Sequence, residues 1–324
     1  MTRKTSALGL VLLFAAVTVG AAACAGVRDG EEVAQVPGDA QDIAGSLRYA
    51  GQERTYLLHL PPAYDGEDAL PLLFVFHGGG GDGEGMVRLT HFSDIADEHG
   101  FIAAYPDGID KNWNDGRPEV NPGVDDVGFI SALIDELVDT YGIDTTRVYS
   151  TGISNGGMFS YRLACELSDK IAAIAPVAAL MGEDLSRRCS PSRPVPVMLV
   201  VGTDDPLVPW EGGEIGGDLA SRGYAISAAA TVSFWVGVDG CTGSPDSEYL
   251  PDAAPGDGTM VRREIYGGGR DGTEVVLLAV EGGGHTWPGG WQYMRERTIG
   301  LTCRDIDAGE VIWDFFTRFT LSAQ

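Results

Sequence analysis

Alternation constrains this chain more than any other feature. From about residue 54 onward, short apolar runs with strand character alternate with longer runs of helical spacing. The runs 54–60, 71–77, 101–106, 147–152, 171–179, 195–202, 260–267 and 274–280 read as strands. Helices are expected over 85–100, 126–142, 155–168, 225–240 and 306–319. In 126–142, Phe129, Leu133, Ile134 and Leu137 fall on one side, the apolar stripe of a helix packed on a core. Several of the strands are apolar at nearly every position, so both of their faces must be covered. The pattern predicts an α/β fold, a mainly parallel sheet with helices on both faces. No internal repeat and no Pro/Ser-rich linker divides residues 46–324, which read as one domain. The polar stretch 243–259 is an insertion expected to cover a site.

The first 45 residues read differently. Arg3 and Lys4 precede an apolar run, Ala7 to Ala23, that ends in small residues. That is the build of a secretory signal over 1–23, too short for a membrane span. It stops at Ala21-Ala22-Ala23-Cys24, which resembles a bacterial lipobox with Cys24 as the lipid acceptor, and ordinary cleavage near Ala23 is the alternative. Residues 24–45 are polar and acidic and read as a flexible tether. Export agrees with the other four cysteines, Cys165, Cys189, Cys241 and Cys303, which suggest two disulfides. Proximity along the chain favours Cys165–Cys189 and Cys241–Cys303, and no cysteine spacing suits zinc. The expected location is the cell envelope or the exterior, with the membrane reached only through a lipid on Cys24. With 22 basic against 47 acidic residues, the net charge of −25 argues against nucleic acid as a partner.

One local pattern carries chemistry. Gly152-Ile153-Ser154-Asn155-Gly156 is a Gly-x-Ser-x-Gly sequence. With 46 glycines, chance alone would supply such a pattern in about one chain in three of this composition. Context raises its weight, because Ser154 falls between an expected strand and an expected helix, as a nucleophile elbow requires. A serine hydroxyl needs a base. Of five histidines only His285 follows Ser154, in a glycine-rich loop after the strand 274–280, and the α/β-hydrolase order is Ser, acid, His. The acid should end the strand 195–202, where Asp204 and Asp205 both stand. Asp205 is preferred, although spacing does not separate them. Two N–H donors for an oxyanion are expected from Asn155 and from Gly79 in the run Gly78 to Gly81. His77 reads as a structural hydrogen-bond partner. Asp115, Asp125 and Asp126 read as helix-capping and loop-bonding residues rather than metal ligands. Trp113 and Trp287 are candidate walls of a substrate pocket, with core packing as the alternative. No metal or cofactor is needed by this chemistry.

Taken together, FHGGGG (76–81), YPDG (105–108), NWNDGR (112–117), DDVGFI (125–130), GISNGGM (152–158), GTDDPLVPWEGG (202–213) and GGGHTWPGG (282–290) resemble the secreted polyhydroxybutyrate depolymerase-like and feruloyl or acetylxylan esterase-like α/β-hydrolases. The resemblance spans about residues 46–320. It implies a serine esterase with Ser154 as nucleophile, Asp205 as acid and His285 as base, acting through an acyl-enzyme on hydroxybutyrate oligomers or on feruloyl or acetyl esters of polysaccharide. The family pattern at the acid, Gly-Thr-x-Asp-Pro, favours Asp205. No polymer-binding domain follows the closing helix, which argues against crystalline polyester as substrate. Cys303 replaces an expected small polar residue, in keeping with a Cys241–Cys303 bridge. The competing readings are a non-catalytic glycan- or polymer-binding envelope lipoprotein and a small serine peptidase on the same fold.

Overall fold

The computed structural model of the protein describes residues 40–217 and 221–321. The expected signal, Cys24 and the tether up to residue 39 lie outside the described residues. In chain order the structure runs β1 (Gln41–Tyr49), β2 (Gln52–Leu60), β3 (Leu72–Phe76), α1 (Gly83–Thr90), α2 (Phe92–His99) and β4 (Ile102–Pro106). It continues through α3 (Asp126–Tyr141), β5 (Val148–Ile153), α4 (Asn155–Glu166), β6 (Ala173–Val177), α5 (Glu183–Ser186) and β7 (Val197–Gly202). It closes with β8 (Gly213–Glu214), β9 (Tyr224–Ala225), α6 (Ala228–Asp239), β10 (Asp246–Tyr249), β11 (Met260–Tyr266), β12 (Val275–Glu281), α7 (Glu296–Ile299) and α8 (Ala308–Phe316).

Ten of these strands form one sheet in the order β1-β2-β4-β3-β5-β6-β7-β12-β11-β10. The six central strands, β4 through β12, pair in parallel, and the outer ones are antiparallel. β3, β4, β5, β6 and β7 are buried at every position, the physical counterpart of their unbroken apolar runs. One face packs on α3, α4 and α6 through residues such as Phe129, Phe159 and Trp235. The other packs on α1, α2 and α8 through Phe92, Ile95 and Phe316. The α/β fold expected from the sequence is the fold observed.

Several expectations need correction. Residues 41–45, expected in the tether, belong to β1, which pairs along its whole length with β2 across a turn at Ala50 and Gly51. Both turn residues have positive φ, 49° and 82°, which suits a tight hairpin. The strand is easy to miss because only Ile43, Leu47 and Tyr49 pack against the core. The single helix expected over 85–100 is two helices, broken at His91, whose φ is 56°. The stretch 243–259 does not cover a site. It carries β10, the edge strand remote from β5 in the sheet order.

Cys165 and Cys189 are bonded, with their Cα atoms 5.1 Å apart, which ties the end of α4 to the segment after α5. Cys241 and Cys303 are free. The Cys241 thiol lies by Val275, at the start of β12, and Cys303 by Thr259, which neighbours the pair at the other end of that strand, Met260 and Glu281. A seven-residue strand at about 3.3 Å per residue separates them by roughly 20 Å, far beyond disulfide reach.

Asp239, the last residue of α6, is fully buried, and its carboxylate accepts the Val195 N–H at 2.8 Å. Burial pushes its pKa up to about 7, against the pull of that hydrogen bond and of Arg270 and Arg193. The folded state therefore holds this proton where an unfolded chain, titrating near about 3.9, has released it. The stability from this group is full at low pH and is lost as pH rises through about 7. Thermal melts of Asp239→Asn and wild type should diverge in the variant's favour by at least about 3 °C between about pH 5.5 and about pH 8.5.

Candidate active site

Ser154 sits between β5 and α4 with φ 56° and ψ −121°. A non-glycine residue there carries strain of about 1–3 kcal/mol, which its surroundings must hold. The Ser154 N–H donates to the Val177 carbonyl at 2.9 Å, and its own carbonyl accepts the first α4 bond from Met158 at 2.8 Å. The neighbouring glycines are required by close approach. A Cβ on Gly152 would lie 2.5 Å from the Phe76 carbonyl oxygen, and one on Gly156 would lie 2.3 Å from the same atom. A Cβ on Gly157 would meet the Ala179 side chain at 2.7 Å.

Asp205 and His285 come together at the same edge of the sheet. The His285 ring donates from Nδ1 to Asp205 Oδ2, 2.7 Å away, and both side chains are buried. Asp205 Oδ1 accepts the N–H groups of Leu207 and Val208 at 2.8 Å each. Asp204 is exposed and, among the described residues, its side chain bonds Thr203, so the geometry separates the two acids that spacing left open. A Cβ on Gly202 would lie 2.3 Å from the Gly283 carbonyl, so that glycine lets the histidine loop cross the end of β7. The His285 backbone is held on both sides: its N–H donates to Ile299, and its carbonyl accepts the Tyr293 hydroxyl at 2.6 Å. Burial, and then the Asp205 charge, push the Tyr293 hydroxyl pKa well up, so it stays a donor.

The loop after β3 completes the site. The Gly80 N–H donates to Lys111 at 2.8 Å and that of Gly81 to Gly78 at 3.0 Å. The Gly79 N–H has no acceptor among the described residues. Asn155 is the first residue of α4, so its N–H also lacks an intrahelical partner, at the positive end of the helix dipole. His77 accepts the Gly108 N–H at Nε2, 2.9 Å away, so its Nδ1 proton goes to the Gly78 carbonyl at 2.8 Å. Burial lowers its pKa, which keeps this neutral form, the structural partner expected of it.

A network not foreseen from spacing braces these donors. Asn155 accepts the Trp113 N–H at 2.8 Å, and its amide donates to the Trp113 carbonyl at 2.9 Å and to Asp115 Oδ2 at 2.7 Å. Asp115 is paired with Arg117, both fully buried, and Arg117 reaches the Arg222 carbonyl at 2.6 Å. The signal was present as the motif NWNDGR, but nothing local says that its aspartate meets the start of α4. Asp125 caps α3 through the Gly128 N–H at 2.9 Å, and Asp126 binds Arg54 and the Asn114 N–H at 2.7 Å each.

Ser154, Asn155, His285 and Gly79 line one cavity of about 430 Å³, walled by Met86, Leu89, Met158, Leu207, Trp291 and Met294. Trp113 and Trp287 are not walls. Trp113 is wholly buried, stacked on Phe159 with ring centres 5.2 Å apart, its Nε1 donating to the His77 carbonyl at 3.1 Å. Trp287 is buried edge-on against Phe92, at 6.0 Å. The wall aromatics are Trp291 and Tyr293 instead, and Trp291 is half-exposed at 52 %.

No family model matches the chain. It is 35 % identical over 288 residues to a protein named "Putative esterase NocK" from Nocardia uniformis subsp. tsuyamanensis, covering 86 % of this chain and 83 % of the other. It is 27 % identical over 280 residues to feruloyl esterase D of Neurospora crassa, covering 83 % of each. Feruloyl esterase B of Piromyces equi is 29 % identical over 258 residues, 76 % of this chain and 46 % of that protein. The acetyl xylan esterase from Aspergillus awamori superposes with a TM-score of 0.57 at 14 % identity, over 86 % of this chain and 99 % of the other, a likeness of fold.

Asp115→Ala would leave Arg117 as a buried unpaired charge and free the Asn155 amide. Its expected cost is about 3–5 kcal/mol, read as a fall in Tm of about 10 °C.

Proposed function

We propose, from the premise that this chain belongs to the feruloyl esterase-like family of α/β-hydrolase esterases, that Ser154, His285 and Asp205 are its catalytic triad. The chain is a hydrolase of carboxylic esters. One observation carries the assignment of residues: the strained Ser154 and the Asp205-anchored His285 line the same cavity as two unused backbone N–H groups.

In this reading His285, its Nδ1 engaged by Asp205, takes the Ser154 proton at Nε2 as the serine oxygen attacks the ester carbonyl. Negative charge moves to the carbonyl oxygen, where the N–H groups of Asn155 and Gly79 receive it. His285 returns the proton to the departing alcohol, leaving an acyl-enzyme on Ser154. Water, deprotonated by the same imidazole, then releases the acid. Losing one oxyanion donor costs about 3–4 kcal/mol in comparable sites, so the bracing of Asn155 has catalytic weight. The cavity suits an oligomeric or aromatic ester: about 430 Å³ lies within the range typical of small-molecule sites, and its walls are largely apolar. Feruloyl or acetyl esters of polysaccharide and hydroxybutyrate oligomers form the substrate class.

We also propose export, with Cys24 as lipid acceptor. The apolar run 7–23 and the Cys165–Cys189 bond support it. No described helix is long and apolar enough to cross a membrane.

Initial rates on methyl ferulate, acetylated xylan, hydroxybutyrate oligomers and p-nitrophenyl acetate, with wild type and Ser154→Ala, test the assignment. The variant should lose about a thousandfold or more on every ester that wild type turns over. Full activity in Ser154→Ala would overturn the triad.

A further inference from the structure

Three charged side chains outside the triad line the cavity: Asp82, paired with Lys111, Arg117, paired with Asp115, and Arg222. Arg222 lines it, half-buried, with its guanidinium laid against the oxyanion loop. A Cβ on Gly79 would lie 2.7 Å from one terminal nitrogen of Arg222 and 3.0 Å from the other. Among the described residues its side-chain hydrogen bond goes to the neutral amide oxygen of Asn112. Asp115, whose charge acts on Arg222, is already committed to Arg117 through several contacts, and Arg117 itself repels Arg222. Burial and that repulsion push the Arg222 pKa down. The guanidinium still holds its charge, because an arginine cannot give up its proton in a protein.

A partly desolvated cation whose hydrogen-bond partner among the described residues is neutral is costly, and a bound anion lowers the cost. The group also lines the proposed substrate cavity, beside the loop proposed to hold the reacting carbonyl. Nothing in the chain's overall charge of −25 favours an anion here, so the local arrangement runs against the global field. We propose that Arg222 is a specificity-determining residue that selects esters carrying a carboxylate a short linker away from the scissile bond. Within the proposed substrate class, this singles out acid-terminated oligoesters such as the hydroxybutyrate dimer over neutral polysaccharide esters. The inference rests on the triad reading above, since it presumes that the ester is cleaved in this cavity.

The test compares kcat/KM for internal-ester cleavage of the 3-hydroxybutyrate dimer as free acid and as carboxamide, followed by chromatography. The two substrates differ only in charge and end group. Wild type should prefer the acid by about tenfold or more, the scale of one charge-assisted hydrogen bond. Arg222→Gln should bring the ratio close to one, mainly through KM, and Arg222→Lys should keep part of it. Melting curves of each variant identify any that fails to fold, in which case the other variant and the wild-type ratio carry the test. A wild-type ratio near one overturns the inference while Ser154-dependent cleavage of both dimers leaves the esterase assignment standing. Equal losses on both substrates in a folded Arg222→Gln also overturn it, because they would make Arg222 an oxyanion donor. Cleavage of neither dimer, with methyl ferulate turned over, overturns it as well.

Discussion

The carbonyl oxygen of Phe76 occupies the space where side chains at both Gly152 and Gly156 would stand. This contact sets the end of β3 against the start of α4 more closely than any Cβ would allow. Much of the site follows from it. The loop leaving β3 carries Gly79, and the first turn of α4 carries Asn155, and both residues line the same cavity as Ser154. The same closeness helps hold Ser154 in a backbone conformation that a relaxed chain would leave. The glycines are therefore spacers as well as hinges.

Rigidity around that contact comes from polar groups that are fully used. The Asn155 amide makes three hydrogen bonds, to the two backbone groups of Trp113 and to Asp115. Asp115 in turn neutralises Arg117, so no charge in this buried network lacks a partner. Such networks add little net stability over an apolar core, but they admit few alternative arrangements. Arg222, whose carbonyl Arg117 reaches, has a neutral side-chain partner among the described residues and lines the cavity.

The supports of the histidine loop follow the same logic with different parts. Gly202 lets the loop pass over β7, Tyr293 holds the His285 carbonyl, and Ile299 takes its N–H. The segment from Trp291 to Ile299 thus both fixes the proposed base and walls the cavity. Substrate shape and base orientation are coupled through one stretch of chain, and substitutions at Tyr293 would act on both.

What the sequence determined by itself was everything written in local periodicity and in short motifs. The buried parallel strands were legible because being covered on both faces demands unbroken apolar runs. Ser154, Asp205 and His285 were legible as a candidate set because chain order and strand ends restrict where such residues can stand. β1 was not, since three partly buried side chains on an edge strand make too weak an alternation. The break at His91 was not, since a helical period continues across it. Spacing left Asp204 and Asp205 together, the family pattern favoured Asp205, and the tertiary structure shows that Asp205 is the one that meets His285. It alone sent Trp113 and Trp287 into the core and Trp291 to the wall, and it separated Cys241 from Cys303 by the length of β12. In each case the outcome depends on contacts between residues far apart in the chain, and periodicity records only which face a residue occupies, never which neighbour it finds there.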